Sequence, residues 1–151
     1  MSAITLEAVQ AKQTELAALT QRLQQQANTT DIEIKGTTIT LQPGERYAGA
    51  VLDDDGNHKH QLVLMAQRPT SKLAWQAAMD WATSVGGVLP TRQEQALLYA
   101  NCKPHLDPLW HWSSETHESE SSYAWNCYFR YGGQYDYPKS SEASVVAVRR
   151  V

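Results

Sequence analysis

The first 28 residues contain no glycine, no proline and no aromatic side chain, and six of them are glutamine. Such a stretch has nothing to turn the chain and no large anchor for a core of its own. One continuous helix is the expected outcome. Leu6, Val9, Gln13, Leu16, Thr20, Leu23 and Ala27 step along it by alternating threes and fours, with Leu19 beside them. That is the heptad spacing of a coiled coil, in which one narrow apolar stripe meets the stripe of another helix. Gln13 and Thr20 place polar groups in the stripe, which costs stability but can fix register. The spacing predicts an oligomerisation helix over residues 1–28, with Leu6, Val9, Gln13, Leu16, Leu19, Thr20 and Leu23 at the contact. Packing against the chain's own domain is the competing use of the same stripe.

Asn28-Thr29-Thr30-Asp31 ends the helix with residues that favour caps and turns. The period then changes to two, with Ile32 and Ile34, then Ile39 and Leu41, around Lys35-Gly36. Pro43-Gly44 closes this segment, so residues 29–46 read as a short β neck. A head domain follows over 47–151. Tyr47 to Leu52 and Gln61 to Ala66 are strand candidates around Asp53-Asp54-Asp55-Gly56-Asn57. His58 and Leu64 occupy the places where a calcium loop needs its glycine and closing glutamate, so the acidic run reads as a hairpin turn.

Ala74, Ala77, Ala78, Trp81 and Val85 form one helical stripe that Gly86-Gly87 ends. Thr91 and Glu94 make a capping box for a second helix through about Asn101, with Leu97, Leu98 and Ala100 turned inward. From Trp110 onward the pattern is strands and polar loops. Trp125, Cys127 and Phe129 alternate with Asn126, Tyr128 and Arg130, Gly132-Gly133 turns the chain, and Ser144 to Arg150 gives a last strand. Strands, then two helices, then strands indicate an α+β head.

Lys and Arg total 13 against 16 Asp and Glu, a formal charge of −3, which argues against a nucleic-acid binder. The longest apolar run, Leu62 to Ala66, is far short of a membrane span, so no membrane insertion is expected. The N-terminus lacks the basic-then-apolar order of a secretory signal, and synthesis in the cytoplasm without export by that route is the expectation.

No aromatic residue precedes Tyr47, whereas nine of the 13 fall between Trp110 and Tyr137. Tyrosine and tryptophan combine a large apolar face with a polar atom and suit half-wet binding surfaces. Trp110, Trp112 and Trp125 are expected in the core, and the tyrosines on a surface. If Trp125, Cys127 and Phe129 point inward, alternation turns Asn126, Tyr128 and Arg130 to solvent. Tyr131, Gln134, Tyr135 and Tyr137 surround the next turn, which completes the candidate ligand-binding set. Tyrosine faces stack on sugar C–H surfaces, Asn and Gln pair with hydroxyls, and Arg130 suits a carboxylate or sulfate.

No catalytic or metal constellation stands out. His58 and His60 share a strand face without a third ligand at a telling spacing. Cys102 and Cys127 form no C-x-x-C motif and are either buried thiols or a lone bridge. The serines and acids around His117 make no triad by abundance alone, and Glu115, Glu118 and Glu120 read as a solvated acidic loop. No cofactor is expected.

Gly87-Val88-Leu89-Pro90-Thr91-Arg92 with Glu94 and Ala96-Leu97-Leu98-Tyr99 resembles the G-x-L-P-T-x-x-E helix opening of a C-type-lectin-like family. Trp112-Ser113-Ser114-Glu115 is similar to its W-S-S strand. Ala124-Trp125 with Phe129, Gly132-Gly133 and Val146-Ala147-Val148-Arg149-Arg150 resembles its closing pattern. The family comprises the C-terminal domains of bacterial collagen-like adhesins and many phage fibre proteins, and the resemblance runs from about Tyr47 to Val151.

The resemblance implies a lectin-like head carried on a homotrimer, the helix supplying the axis and three weak sites gaining avidity. The Glu-Pro-Asn and Gln-Pro-Asp triplets of calcium-dependent lectins are absent, which implies calcium-independent binding. Formylglycine-generating enzymes share the fold and a similar helix opening, but Gln95 stands near their usual aromatic residue. The expectation is a non-enzymatic fibre tip or adhesin, on a virion or bacterial cell surface, recognising a host cell-surface glycan or protein receptor, with other virion fibre proteins as further partners. A structural fibre or baseplate component without a soluble ligand is the alternative, and a formylglycine-generating-like enzyme a more distant one.

Overall fold

The computed structural model of the protein describes residues 3–34 and 36–151. Met1 and Ser2 of the expected helix, and Lys35 of the expected turn, lie outside the described residues. Helix and sheet are mixed, and the chain divides into two compact units, Met1–Pro43 and Gly44–Val151.

The first unit begins with α1 (Leu6–Ala27), opened by Thr5, whose side chain accepts a hydrogen bond from the Ala8 amide. None of its residues is buried, and Leu6, Leu16 and Leu23 are 73%, 64% and 65% exposed. The Thr20 hydroxyl donates to the Leu16 carbonyl at 2.9 Å, so this polar member of the stripe is satisfied within its own helix. The hairpin pairs β1 (Thr30–Ile34) with β2 (Thr37–Leu41) in antiparallel register, Ile32 opposite Ile39. Thr40 donates across the pair to Asp31 at 2.6 Å, and β2 alternates between exposed threonines and buried Ile39 and Leu41.

In the second unit, β3 (Arg46–Leu52) and β4 (His58–Leu64) form a hairpin around the acidic turn. Asp53 Oδ1 accepts from the Asp55 and Asn57 amides, so its carboxylate caps the turn, as a side chain in a tight hairpin does. β10 (Val148–Arg150) joins the outer edge of β4, giving the order β10-β4-β3. The expected last strand over 144–150 is shorter than the sequence pattern, because residues 145–147 pack as buried chain between β9 and β10 without a full ladder.

Helix α2 (Trp75–Ser84) buries Ala78 and Ala82, whereas Ala77 is exposed. The buried stripe runs through the position after Trp81 instead. Helix α3 (Arg92–Cys102) opens on the Thr91–Glu94 capping box and buries Glu94, Gln95, Leu98 and Cys102. Ala100, expected inward, is exposed. In both helices small alanines left the helical phase ambiguous, and the larger neighbours set it.

A second sheet orders β6 (Trp110–Thr116), β7 (Tyr123–Tyr128) and β8 (Gly133–Pro138) as β6-β7-β8. The two-residue strands β5 (Leu73–Ala74) and β9 (Glu142–Ala143) pair separately. Two hydrophobic clusters fill this unit. One gathers Leu62, Leu64, Leu98, Cys127, Phe129 and Val146, the other Ala78, Ala82, Leu89, Trp112, Ala124 and Val145. Cys127 belongs to the first and Ala124 to the second, so β7 is covered on both faces along part of its length.

Candidate functional site

Antiparallel register decides which side chains share a face, because directly opposed residues point the same way. Trp110 lies opposite Tyr128 and Tyr128 opposite Gly133; Trp112 lies opposite Asn126 and Asn126 opposite Tyr135; Ala124 lies opposite Tyr137. One sheet face therefore carries Trp110, Trp112, Asn126, Tyr128, Tyr135 and Tyr137. Trp110 is its hub. The indole stacks on Tyr128 with centroids 4.4 Å apart and planes at 11°, meets Tyr135 edge-on at 4.9 Å, and leans on Tyr137 at 5.2 Å. Tyr131, in the turn beyond β7, meets Tyr128 edge-on at 5.7 Å.

Two glycines make room for neighbouring rings, Gly132 for Tyr99 of α3 and Gly133 for Tyr135 of this face. Gly132 has φ +80°, and a Cβ there would come within 2.7 Å of the Tyr99 ring. At Gly133 a Cβ would meet the Tyr135 ring at 2.7 Å. Tyr135 thus lies over the bare backbone two residues before it. Tyr131 and Tyr135 remain 69% and 49% exposed, while Trp110, Tyr128 and Tyr137 are half-buried. Arg130 is exposed, its guanidinium carbon stands 5.4 Å from the Tyr131 ring centre, and it makes no ion pair among the described residues. Chemically this is a wet aromatic surface with several phenol hydroxyls and the Arg130 cation beside them.

Two members of the expected set are elsewhere. Asn126 is fully buried rather than turned to solvent, and neither its Oδ1 nor its Nδ2 has a hydrogen-bond partner among the described residues. The alternation itself holds; what fails is the assumption that this face of β7 is wet along its whole length, since it is open at Tyr128 and closed at Asn126. Asn126 shares its face with Trp112, which is 0% exposed and belongs to the second cluster. Gln134 sits on the opposite face, where it accepts from Arg92 Nε at 3.0 Å and donates to the Arg92 carbonyl at 2.7 Å.

That opposite face is closed on itself. The Arg92 guanidinium lies 3.7 Å over the Trp125 ring, and His117 stacks near the same indole at 5.2 Å. The Arg92 amide donates to Glu115 at 2.6 Å, and its side chain stands 3.6 Å from Glu118. Part of the expected acidic loop is therefore tied to the start of α3. His117 Nδ1 accepts from the Ser119 amide at 3.2 Å, a local turn and not a triad. Trp125 is half-buried here and Trp110 half-buried on the aromatic face; of the three tryptophans expected in the core, Trp112 alone is fully enclosed.

The buried charges are spent on holding elements together. Glu94 receives Arg150 Nε at 2.9 Å and Nη2 at 2.7 Å, the Thr91 amide at 2.9 Å, and meets His60 Nε2 at 2.9 Å. Burial pushes its pKa upward, but these hydrogen bonds and the Arg150 charge outweigh burial and bring it down to about 2. One carboxylate thereby ties α3 to β4 and β10. His60 is committed to this cluster while His58 is exposed, and no group of three metal-ligating side chains exists among the described residues. Cys102 and Cys127 are both free and buried, and burial raises Cys127 to about 11.

The sequence missed Trp110 as the hub and Arg92 as the organiser of the other face. The available signal for Trp110 was its two-residue step to the core-facing Trp112, but the pairing with Tyr128 depends on the β6–β7 register, which no local pattern states. No protein-family model matches this chain, and no curated protein matches it.

Proposed function

We propose that this protein is a multivalent receptor-binding protein of the fibre-tip or adhesin kind. Its head binds a cell-surface glycan through the Trp110–Tyr128–Tyr135–Tyr137 face without catalysis. The observation that carries this reading is the exposed aromatic surface, continued by Tyr131 and Arg130. A purely structural aromatic cluster would bury these rings. Here half of Tyr135 and more than half of Tyr131 stay in water with their hydroxyls free to exchange partners. The order of the G-x-L-P-T, W-S-S and V-R motifs supports a C-type-lectin-like head, and on that reading the protein sits on a virion or a bacterial surface.

Helix α1 supplies the valency in this proposal. Its stripe of Leu6, Val9, Leu16, Leu19 and Leu23 is exposed, and a shallow groove of about 340 Å³ lies along Ile4, Val9 and Leu16. Helices in proteins draw most of their stability from packing an apolar face, and none of the 22 residues of α1 is buried, so its stripe is left for another helix to cover. A parallel trimer of this chain would cover the stripes of all three helices. Oligomer order three rests on the family resemblance.

The test is the solution mass of the full chain by light scattering, beside a version lacking residues 1–30. It is followed by glycan-array and host-cell binding of both forms. A trimer that the truncation dissociates, with binding that weakens sharply on truncation, is the expected result. A full chain that is monomeric, or binding that ignores the state of association, overturns it. A trimer with no ligand at all favours the structural fibre component instead.

A further inference from the structure

A second cleft lies away from the aromatic face. It has a volume of about 220 Å³, and Arg68, Ser71, Lys72, Asp107, His111 and Ser144 are among its lining residues. Arg68 is fixed at its rim, donating to the carbonyls of Met65, Gln67 and His105. A guanidinium held this way presents its remaining edge without having to be ordered by a ligand.

His111 is the informative residue. It is 2% exposed and its ring rests 4.7 Å from Phe129. Nδ1 lies 2.8 Å from the Leu109 carbonyl, which can only accept, so the proton sits on Nδ1 and Nε2 keeps its lone pair. No described residue donates to Nε2, and that atom is not among the sealed polar atoms that lack a partner. Burial, against the opposing pull of the Leu109 carbonyl and Asp107, holds the imidazole pKa down to about 4 and so keeps the ring neutral. An acceptor open in this way is satisfied by water, or by a ligand hydroxyl that takes the water's place.

Charged side chains surround the imidazole. Arg68 and Lys72 contribute two positive charges and Asp107 one negative, a net +1 that a monoanion balances and a dianion overshoots. Ser71 and Ser144 add hydroxyls able to donate or accept.

We propose that this cleft binds a small monoanion that also bears hydroxyl groups, a sugar acid of the uronate kind. Its carboxylate lies beside Arg68 and Lys72, and one of its hydroxyls donates to His111 Nε2. The site uses none of the side chains of the aromatic face and goes beyond the reading of that face. Neutral sugars lack the anion, and sulfate lacks the hydroxyl donor.

The experiment is a titration of the isotope-labelled full chain with D-glucuronate, D-glucose and sodium sulfate. It follows the His111 ring nitrogens and the Ser71 and Ser144 amides by NMR. Glucuronate is expected to shift all three with a millimolar Kd, about tenfold tighter than glucose or sulfate. Lys72→Ala, at an exposed position, should keep the fold and weaken glucuronate about threefold at low salt. Equal responses to glucose and glucuronate, or no response at His111, overturn the proposal. Shifts confined to Tyr128 and Tyr135 overturn this cleft and leave the aromatic site standing.

Discussion

The Trp110 indole lies nearly parallel to the Tyr128 ring, 4.4 Å away, because β6 and β7 pair these two residues directly. The stack makes two half-buried rings into one rigid plate that also supports Tyr135 and Tyr137. Such pairs contribute about 0.5–1.5 kcal/mol beyond the area they bury.

Tyr128→Ala should remove the plate's centre and lower glycan or host-cell binding at least about tenfold, the loss of one central aromatic anchor. Tyr128→Phe keeps the stack and should retain most binding. Gly133→Ala is a subtler probe. The new methyl pushes the Tyr135 ring off the strand, so binding should fall while thermal stability changes little, since only a side-chain tip must move. The triple alanine variant at Tyr128, Arg130 and Tyr135 should not bind host cells. Undiminished binding by that variant on intact cells would count against the aromatic site.

Asn126 carries two buried amide atoms with no partner among the described residues. Asn126→Leu, close in shape and without polar atoms, should leave stability unchanged or raise it by about 1–3 kcal/mol. Asn126→Asp should be strongly destabilising, because it buries an unpaired charge. Denaturant midpoints of both variants test this; a destabilised leucine variant would mean that the amide is held by a polar partner.

Acid should destabilise the second unit through two successive pH windows. Burial lowers His111 from 6.5 to about 4, so the unfolded chain takes up the proton first. Its contribution is complete above pH 6.5 and is lost as pH falls towards 4. Glu94, lowered from 4.5 to about 2, contributes fully above 4.5 and is lost as pH falls towards 2. Urea midpoints measured from pH 7 to pH 2 should decline through both windows, and Glu94→Gln should be less stable at neutral pH with a flattened lower step. A midpoint constant from pH 7 to 4 would contradict the His111 assignment.

Burial raises the pKa of both cysteine thiols, Cys127 to about 11. Little thiolate forms at neutral pH, and the folded chain should react with a thiol reagent at a small fraction of the rate of the urea-unfolded chain. Fast labelling of Cys127 in the folded state, or turnover of any substrate abolished by Cys127→Ser without unfolding, would favour the enzymatic alternative.

Much of the local structure was legible in the chain itself. The long helix follows from residues 1–28, the capping box from Thr91 and Glu94, the acidic hairpin turn from Asp53 to Asn57, and the glycine turn from Gly132 and Gly133. These features depend on neighbours within about four positions, where periodicity and capping chemistry act directly. The helical phases at Ala77 and Ala100 were not legible, since alanine fits either side of a helix equally well.

The candidate site divides along the same line. Sequence determined that aromatic residues concentrate between Trp110 and Tyr137, and that Tyr128, Arg130, Tyr131 and Tyr135 adjoin a turn. Tertiary structure decided which of them meet. Strand alternation sorts residues into two faces but does not say which face is wet, and β7 is covered on both where Cys127 and Ala124 enter separate clusters. Asn126 is therefore buried and Gln134 bound to Arg92, while Trp110 emerges beside Tyr128. Cross-strand register and the packing of two cores are long-range properties, set by contacts between residues far apart in the chain, and no local pattern can encode them alone.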